Sequence, residues 1–239
     1  MRRRKRRNNA TAMDQGKTMD RPEGLLVVLS GPSGAGKGTV CTALRGHLPA
    51  MKYSVSVTTR APRQGEQEGV NYFFRSRQEF ERMIRDGELL EWAEVYGNYY
   101  GTPRQYVEDQ LRAGLDVLLE IDIQGARKVK EQFPRGVFVF LLPPSVRELK
   151  NRILGRGSET AESFRLRFGA VSDEIRQLWE YDYVVINDEV ELACHRIQSI
   201  IVAEHHSVRR NRKFYESWIE RGIADAVSIH RSTDDKGRK

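Results

Sequence analysis

The chain has 239 residues, 39% of them hydrophobic, and two cysteines, which allows one substantial core and excludes a disulfide scaffold or a cysteine-built metal cluster. No apolar run is long enough to cross a bilayer and the N-terminus lacks the apolar core of a secretory signal, so the expectation is a soluble, cytoplasmic chain with no membrane role. The net charge of +7 sits at the ends, six positive charges in residues 1–9 and a net +3 in residues 204–239, which leaves −2 for residues 10–203 and excludes a nucleic-acid-binding body.

In chain order, residues 1–22 carry no apolar periodicity and read as a disordered basic tail that would bind polyanions only weakly. Leu25–Leu29 is a branched apolar run read as a buried strand, and Val40, Ala43, Leu44 and Leu48 return at helical spacing. Between them lies GPSGAGKGT, Gly31 to Thr39. Gly31, Gly34 and Gly36 let the backbone curl so that amides point inward at a helix N-terminus, and Lys37 adds a mobile cation. This is the GxxxxGK phosphate-binding pattern, with Gly38 where Ser or Thr usually binds Mg²⁺ and Thr39 one place later.

Tyr53, Val55 and Val57 alternate with serines and predict one short strand. The loop after it places Arg60 and Arg63 three apart, paired cationic forks suited to an anion. Tyr72–Phe74 predicts a strand, Phe80, Met83 and Ile84 a helix, and Leu89, Leu90 and Trp92 another strand, interrupted by Glu91. Tyr99–Thr102 predicts a turn before a helix holding Val107 and Leu111. Val117–Ile123 reads as a central strand whose Glu120 and Asp122, two apart, share one face near its C-terminal end. Gln124–Ala126 opens a helix, and Val137–Leu142 is a buried strand stopped by two prolines.

Ser145 starts a helix running into Gly155, Arg156 and Gly157, a joint that could deliver charge. Tyr183–Ile186 and a helix with Ile197 and Ile201 complete the core, with Cys41 and Cys194 buried as free thiols and His205 and His206 on the surface. Phe214, Trp218 and Ile219 predict an amphipathic helix in a basic C-terminal extension, 204–239, with Ser232–Lys239 disordered. Strand–helix alternation at this rhythm predicts an α/β fold, a three-layer sandwich around a central parallel sheet.

The order of GPSGAGKGT, SVTTRAPRQGE, GVNYFF, LLEWAEVYGNYYGT and VLLEIDIQGA resembles the guanylate kinase family over about residues 24–202. The resemblance implies a P-loop domain over 23–203 with a GMP-binding segment, 56–105, and a lid, 145–170. It implies phosphoryl transfer from ATP to GMP with Mg²⁺, a step of purine nucleotide metabolism. Gly31, Pro32, Ser33, Gly34, Ala35, Gly36, Lys37, Gly38 and Thr39 match the ATP-binding loop, and Asn187 a position near adenine. Arg60, Arg63, Tyr72 and Tyr100 match residues that hold the GMP phosphate, and Ser56, Glu91, Thr102 and Asp122 those that read guanine. Glu66 and Gly101 take supporting parts. Glu120 would orient metal-bound water. Arg152, Arg156 and Arg167 match the lid arginines that act in catalysis with Lys37 and Arg60; Arg165 is a poorer match, and by spacing alone these arginines also read as a helix surface.

The chemistry is coherent with that assignment. Guanine presents N1–H beside an exocyclic amine, so one buried carboxylate accepts both, and adenine offers no such pair. A kinase for another nucleoside monophosphate, a non-catalytic module of the same fold and a nucleic-acid binder acting through its basic ends are the competing readings, and a homo-oligomer is compatible with all of them.

Overall fold

A computed structural model of the chain describes residues 23–95, 97–154, 171 and 173–234; the basic tail of residues 1–22 lies outside the described residues. Pro22–Arg212 forms one compact unit, and the segment from Lys213 belongs to a second.

The unit is built on a five-stranded sheet. β1 (Leu26–Ser30) is buried at every position, as a continuous branched apolar run at the centre of a parallel sheet must be. It pairs with β7 (Val117–Glu120) on one side and β8 (Val137–Leu142) on the other, and β2 (Lys52–Tyr53) and β9 (Tyr183–Ile186) form the edges, all in parallel.

Alternation along β1 builds the layers. Val27 and Leu29 pack with Val40, Cys41 and Leu44 of α1 (Lys37–His47) and with Ala193, Cys194 and Ile197 of α6 (Val190–His205). Leu26 and Val28 face the other way, onto Val107 and Leu111 of α3 (Arg104–Arg112) and Ala126 and Val129 of α4 (Ile123–Gln132). The result is the expected three-layer α/β sandwich. Both cysteines are free and buried. His205 and His206 are exposed, and His205 Nε2 lies 2.8 Å from Asp116 Oδ2.

A second sheet is made wholly from residues 57–103, in the order β4 (Phe73–Phe74), β3 (Val57–Thr58), β6 (Asn98–Pro103), β5 (Leu89–Val95). α2 (Arg77–Arg85) covers it through Phe80, which is fully buried and stacks on Tyr99 with ring centroids 5.3 Å apart.

Four local expectations are corrected. The single strand expected over Tyr53–Val57 is divided between the two sheets: the Ser54 amide donates to the Leu118 carbonyl at 3.1 Å, while the Ser56 carbonyl accepts from the Phe73 amide at 2.9 Å. The turn expected at Tyr99–Thr102 is strand β6. The reversal comes earlier, at Gly97 with φ +78°, and Gly101 serves close packing, since a Cβ there would lie 3.0 Å from the Glu91 carbonyl oxygen and the Phe80 ring. Strand β7 ends at Glu120 rather than Ile123, because Asp122 caps α4, its carboxylate accepting from the Gly125 amide at 2.7 Å.

The fourth correction is in the C-terminal extension. Helix α7 (Arg212–Asp234) continues through Ser232–Asp234, where disorder was expected, with Trp218 and Ile219 about half exposed. α5 (Val146–Leu154) follows Ser145, whose hydroxyl accepts from the Glu148 amide at 3.0 Å. No helix among the described residues is long and apolar enough to cross a membrane.

Candidate active site

The site lies along the C-terminal ends of β1, β2, β7 and β9, where parallel strands hand over to loops and helix N-termini. After Ser30 the chain turns through Gly31, Gly34 and Gly36 at φ +147°, +89° and +91°, left-handed values that a side chain would strain. Gly36 is also the N-cap of α1, whose first turn holds no acidic residue, so the amides and the positive dipole end converge on one concavity. Lys37 Nζ donates to the Gly31 carbonyl at 2.6 Å and to Pro32 at 3.4 Å, lying over the loop it follows. Burial lowers its pKa, opposed by the carboxylates of Glu120, Glu174 and Asp122. Gly38 and Thr39 in the same turn are exposed.

Asn187, expected near adenine, is buried beneath this loop. Its Nδ2 donates to the Ala35 carbonyl at 2.8 Å and would be 2.5 Å from a Cβ at Gly36. Arg152, in the last turn of α5, donates from Nη2 to the Asn187 carbonyl at 3.2 Å and from Nε to Glu148 at 3.1 Å, which brings its guanidinium to the loop's rim. Arg156, Arg165 and Arg167 lie outside the described residues.

Glu120 stands beside Lys37. The Tyr53 hydroxyl donates to its Oε2 at 2.9 Å, and burial, then the Glu120 charge, pushes that phenol up. Asp122, expected on the same strand face, is instead held as the α4 cap.

The second sheet supplies the opposite wall. Glu91 of β5 and Thr102 of β6 are cross-strand partners, so their side chains share a face, and the Thr102 hydroxyl donates to Glu91 Oε1 at 2.7 Å. Glu91 is only 6% exposed. Burial raises its carboxyl from the ordinary 4.5 to about 7, with Asp122 adding to the rise while Thr102 and Lys128 oppose it. Lys128 itself lies over the Trp92 ring and donates to the Trp92 carbonyl.

Further along this wall, Glu66 accepts from Arg60 Nη2 at 2.9 and 3.1 Å and from the Arg63 amide at 2.8 Å, so one carboxylate sets the loop and the plane of the Arg60 fork. Arg60 lies 5.3 Å from the centroid of Tyr72, which packs edge-on against Tyr100 at 6.0 Å. The Arg63 side chain is exposed, and Ser56 sits where the chain crosses between the sheets.

Sequence reasoning missed Tyr53, Glu174 and Lys128 as members of this neighbourhood. Tyr53 reads as an ordinary strand aromatic. Glu174, whose Oε2 lies 3.4 Å from the Ser33 amide, comes from 141 residues away with no motif around it.

A glycine loop joining the central strand of a parallel sheet to a helix, with a lysine opening that helix, defines a P-loop nucleotide-binding α/β protein. Within that class the chain belongs to the guanylate kinase family, whose model matches residues 23–204. It is 57% identical over 202 residues to the guanylate kinase of Halalkalibacterium halodurans, covering 84% of this chain and 99% of that protein. It is 54% identical over 198 residues to that of Bacillus subtilis, covering 82% and 97%. The crystal structure of guanylate kinase from Anaplasma phagocytophilum superposes with a TM-score of 0.67 at 40% identity, covering 80% of this chain and 90% of that one.

Proposed function

We propose that this chain transfers the γ-phosphoryl group of ATP to GMP, giving ADP and GDP. The observation that carries the reading is the buried Glu91–Thr102 pair, whose carboxylate is acted on by Asp122, one of the carboxylates that also act on Lys37 of the glycine loop. Ionised Glu91 accepts from guanine N1–H and the 2-amino group together, with Thr102, Ser56 and Asp122 around the base. With adenine the carboxylate would be buried without those donors, which discriminates by factors on the order of 10⁴.

Arg60 and Arg63, with Tyr72 and Tyr100, hold the GMP phosphate. Glu66 presets Arg60 for it. The amides of Gly31–Thr39 and the Lys37 ammonium hold the donor phosphates, and Asn187 supports the loop from below. Transfer is in line and direct, with no covalent enzyme intermediate. The chain contributes position and positive charge at the equatorial oxygens, from Lys37 and Arg60, from Arg152 at the loop's rim, and from Arg156 and Arg167. Closure of the second sheet over the substrates excludes water, which would otherwise hydrolyse ATP.

The donor set suits Mg²⁺ carried in with the nucleotide, an ion that takes one or two carboxylates and completes its shell with water and phosphate oxygens. A Cβ at Gly38 would lie 3.4 Å from Glu120 Oε1, an ordinary contact distance, which places that carboxylate beside the first turn of α1. Glu120, oriented by Tyr53, would hold the metal's water shell. When bound, the ion would supply charge neutralisation on the donor phosphates.

The test is a coupled assay of ADP formation with ATP and Mg²⁺, offering GMP, AMP, UMP and CMP separately. Turnover is expected with GMP alone, and Lys37→Ala is expected to lower it by on the order of 10³-fold. ATP binding without turnover of any monophosphate would sink the reading.

A further inference from the structure

Gly125 is the third residue of α4, and its backbone is not in the left-handed region. Nothing in its conformation calls for glycine, and a helix disfavours glycine relative to alanine. The explanation lies in what surrounds it. A Cβ there would stand 2.8 Å from Glu91 Oε2, 3.2 Å from Glu91 Cδ and 3.3 Å from Asp122 Oδ1. The first distance is shorter than real Cβ contacts, so a side chain at 125 would displace the carboxylate.

Glu91 has little freedom to yield. Its other oxygen is held by the Thr102 hydroxyl at 2.7 Å, and the residue is buried among β5, β6 and α4. The Gly125 amide meanwhile donates to Asp122 Oδ1 at 2.7 Å. One residue therefore sets both carboxylates, one through its amide and the other through its missing side chain.

We infer that Gly125 is a positioning residue for base specificity: its bare Cα lets Glu91 Oε2 stand beside Asp122, where the two meet adjacent donors on the guanine edge. This rests on the reading of Glu91 and Asp122 as the groups that face the base. It assigns the glycine of the strand–helix junction to substrate selection rather than to the fold.

The experiment compares the full chain with Gly125→Ala, Glu91→Ala and the double variant, in steady-state kinetics with GMP and with inosine 5′-monophosphate, which lacks the 2-amino group. Gly125→Ala is expected to lower kcat/KM for GMP by on the order of 10²-fold, to lower it less for the inosine nucleotide, and to leave KM for ATP unchanged. In the Glu91→Ala background, where the carboxylate is gone, adding Gly125→Ala should leave the ratio of the two substrates unchanged.

A folded Gly125→Ala chain with the parent ratio overturns the proposal, as does an equal further loss of the ratio in the Glu91→Ala background. If Gly125→Ala alone does not fold, folding of the double variant supports the clash with Glu91, and failure of both overturns it. If Glu91→Ala leaves the ratio at the parent value, the reading of Glu91 itself fails and takes the proposal with it.

Discussion

Under the proposed function Glu91 combines two demands, ionisation to receive guanine and burial that opposes ionisation. Its carboxyl is raised from 4.5 to about 7 by desolvation. Below about pH 4.5 the folded and unfolded chains both hold this proton. Between pH 4.5 and about 7 the unfolded chain releases it and the folded chain keeps it, so this group's contribution to stability falls as pH rises and then levels off. Glu91→Gln keeps an acceptor for the Thr102 hydroxyl and removes the titration. The variant should therefore gain on the parent by on the order of 3 kcal/mol between pH 4.5 and pH 8. Urea denaturation at the two pH values, without nucleotide, measures the gain; a difference that does not change with pH would count against a raised Glu91. GMP affinity should move in the opposite sense, strengthening through pH 7 in the parent as the carboxylate forms.

At the scale of elements, α2 shows how local chemistry carries a functional wall. Ser76 accepts from the Glu79 amide at 3.2 Å, and Glu79 accepts from the Ser76 amide at 2.8 Å, a reciprocal capping box. The helix buries Phe80 against Tyr99 and lies over the sheet that holds Glu91 and Thr102. Ser76→Ala should cost about 1 kcal/mol in chemical denaturation, with the parent preference for GMP over AMP retained, because the cap bonds to Glu79 and not to Glu91 or Thr102. A change in that preference would show that α2 sets the cleft's geometry. β6 carries the opposite lesson. Tyr99–Thr102 has the glycine of a turn, yet Gly101 sits where Phe80 and the Glu91 carbonyl approach more closely than most Cβ contacts.

At the scale of the molecule, the described site residues span 31–187, within the 23–204 matched by the family model. The strong basic run lies before it, in residues 1–9. Removing residues 2–22 should leave GMP-dependent turnover unchanged, measured in the same coupled assay. Loss of turnover would give the basic run a part in catalysis and favour a function built on polyanion binding.

The main sheet and the glycine loop were legible because their signals are local. A buried parallel strand writes itself as an apolar run, and a backbone with positive φ writes itself as glycine at Gly31, Gly34 and Gly36. The candidate residues of the cleft were legible through their order along the chain, as a family resemblance. What the sequence by itself determined is therefore the three-layer core, the phosphate loop and the family. Tertiary structure alone decided that Glu91 meets Thr102 across two strands, that Tyr53 holds Glu120 from 67 residues away, that Asn187 braces a loop 152 residues before it, and that Gly125 is open because Glu91 fills its space. Those contacts are non-local. They depend on which surfaces close together when the core is buried, and no periodicity in a single segment records its partner.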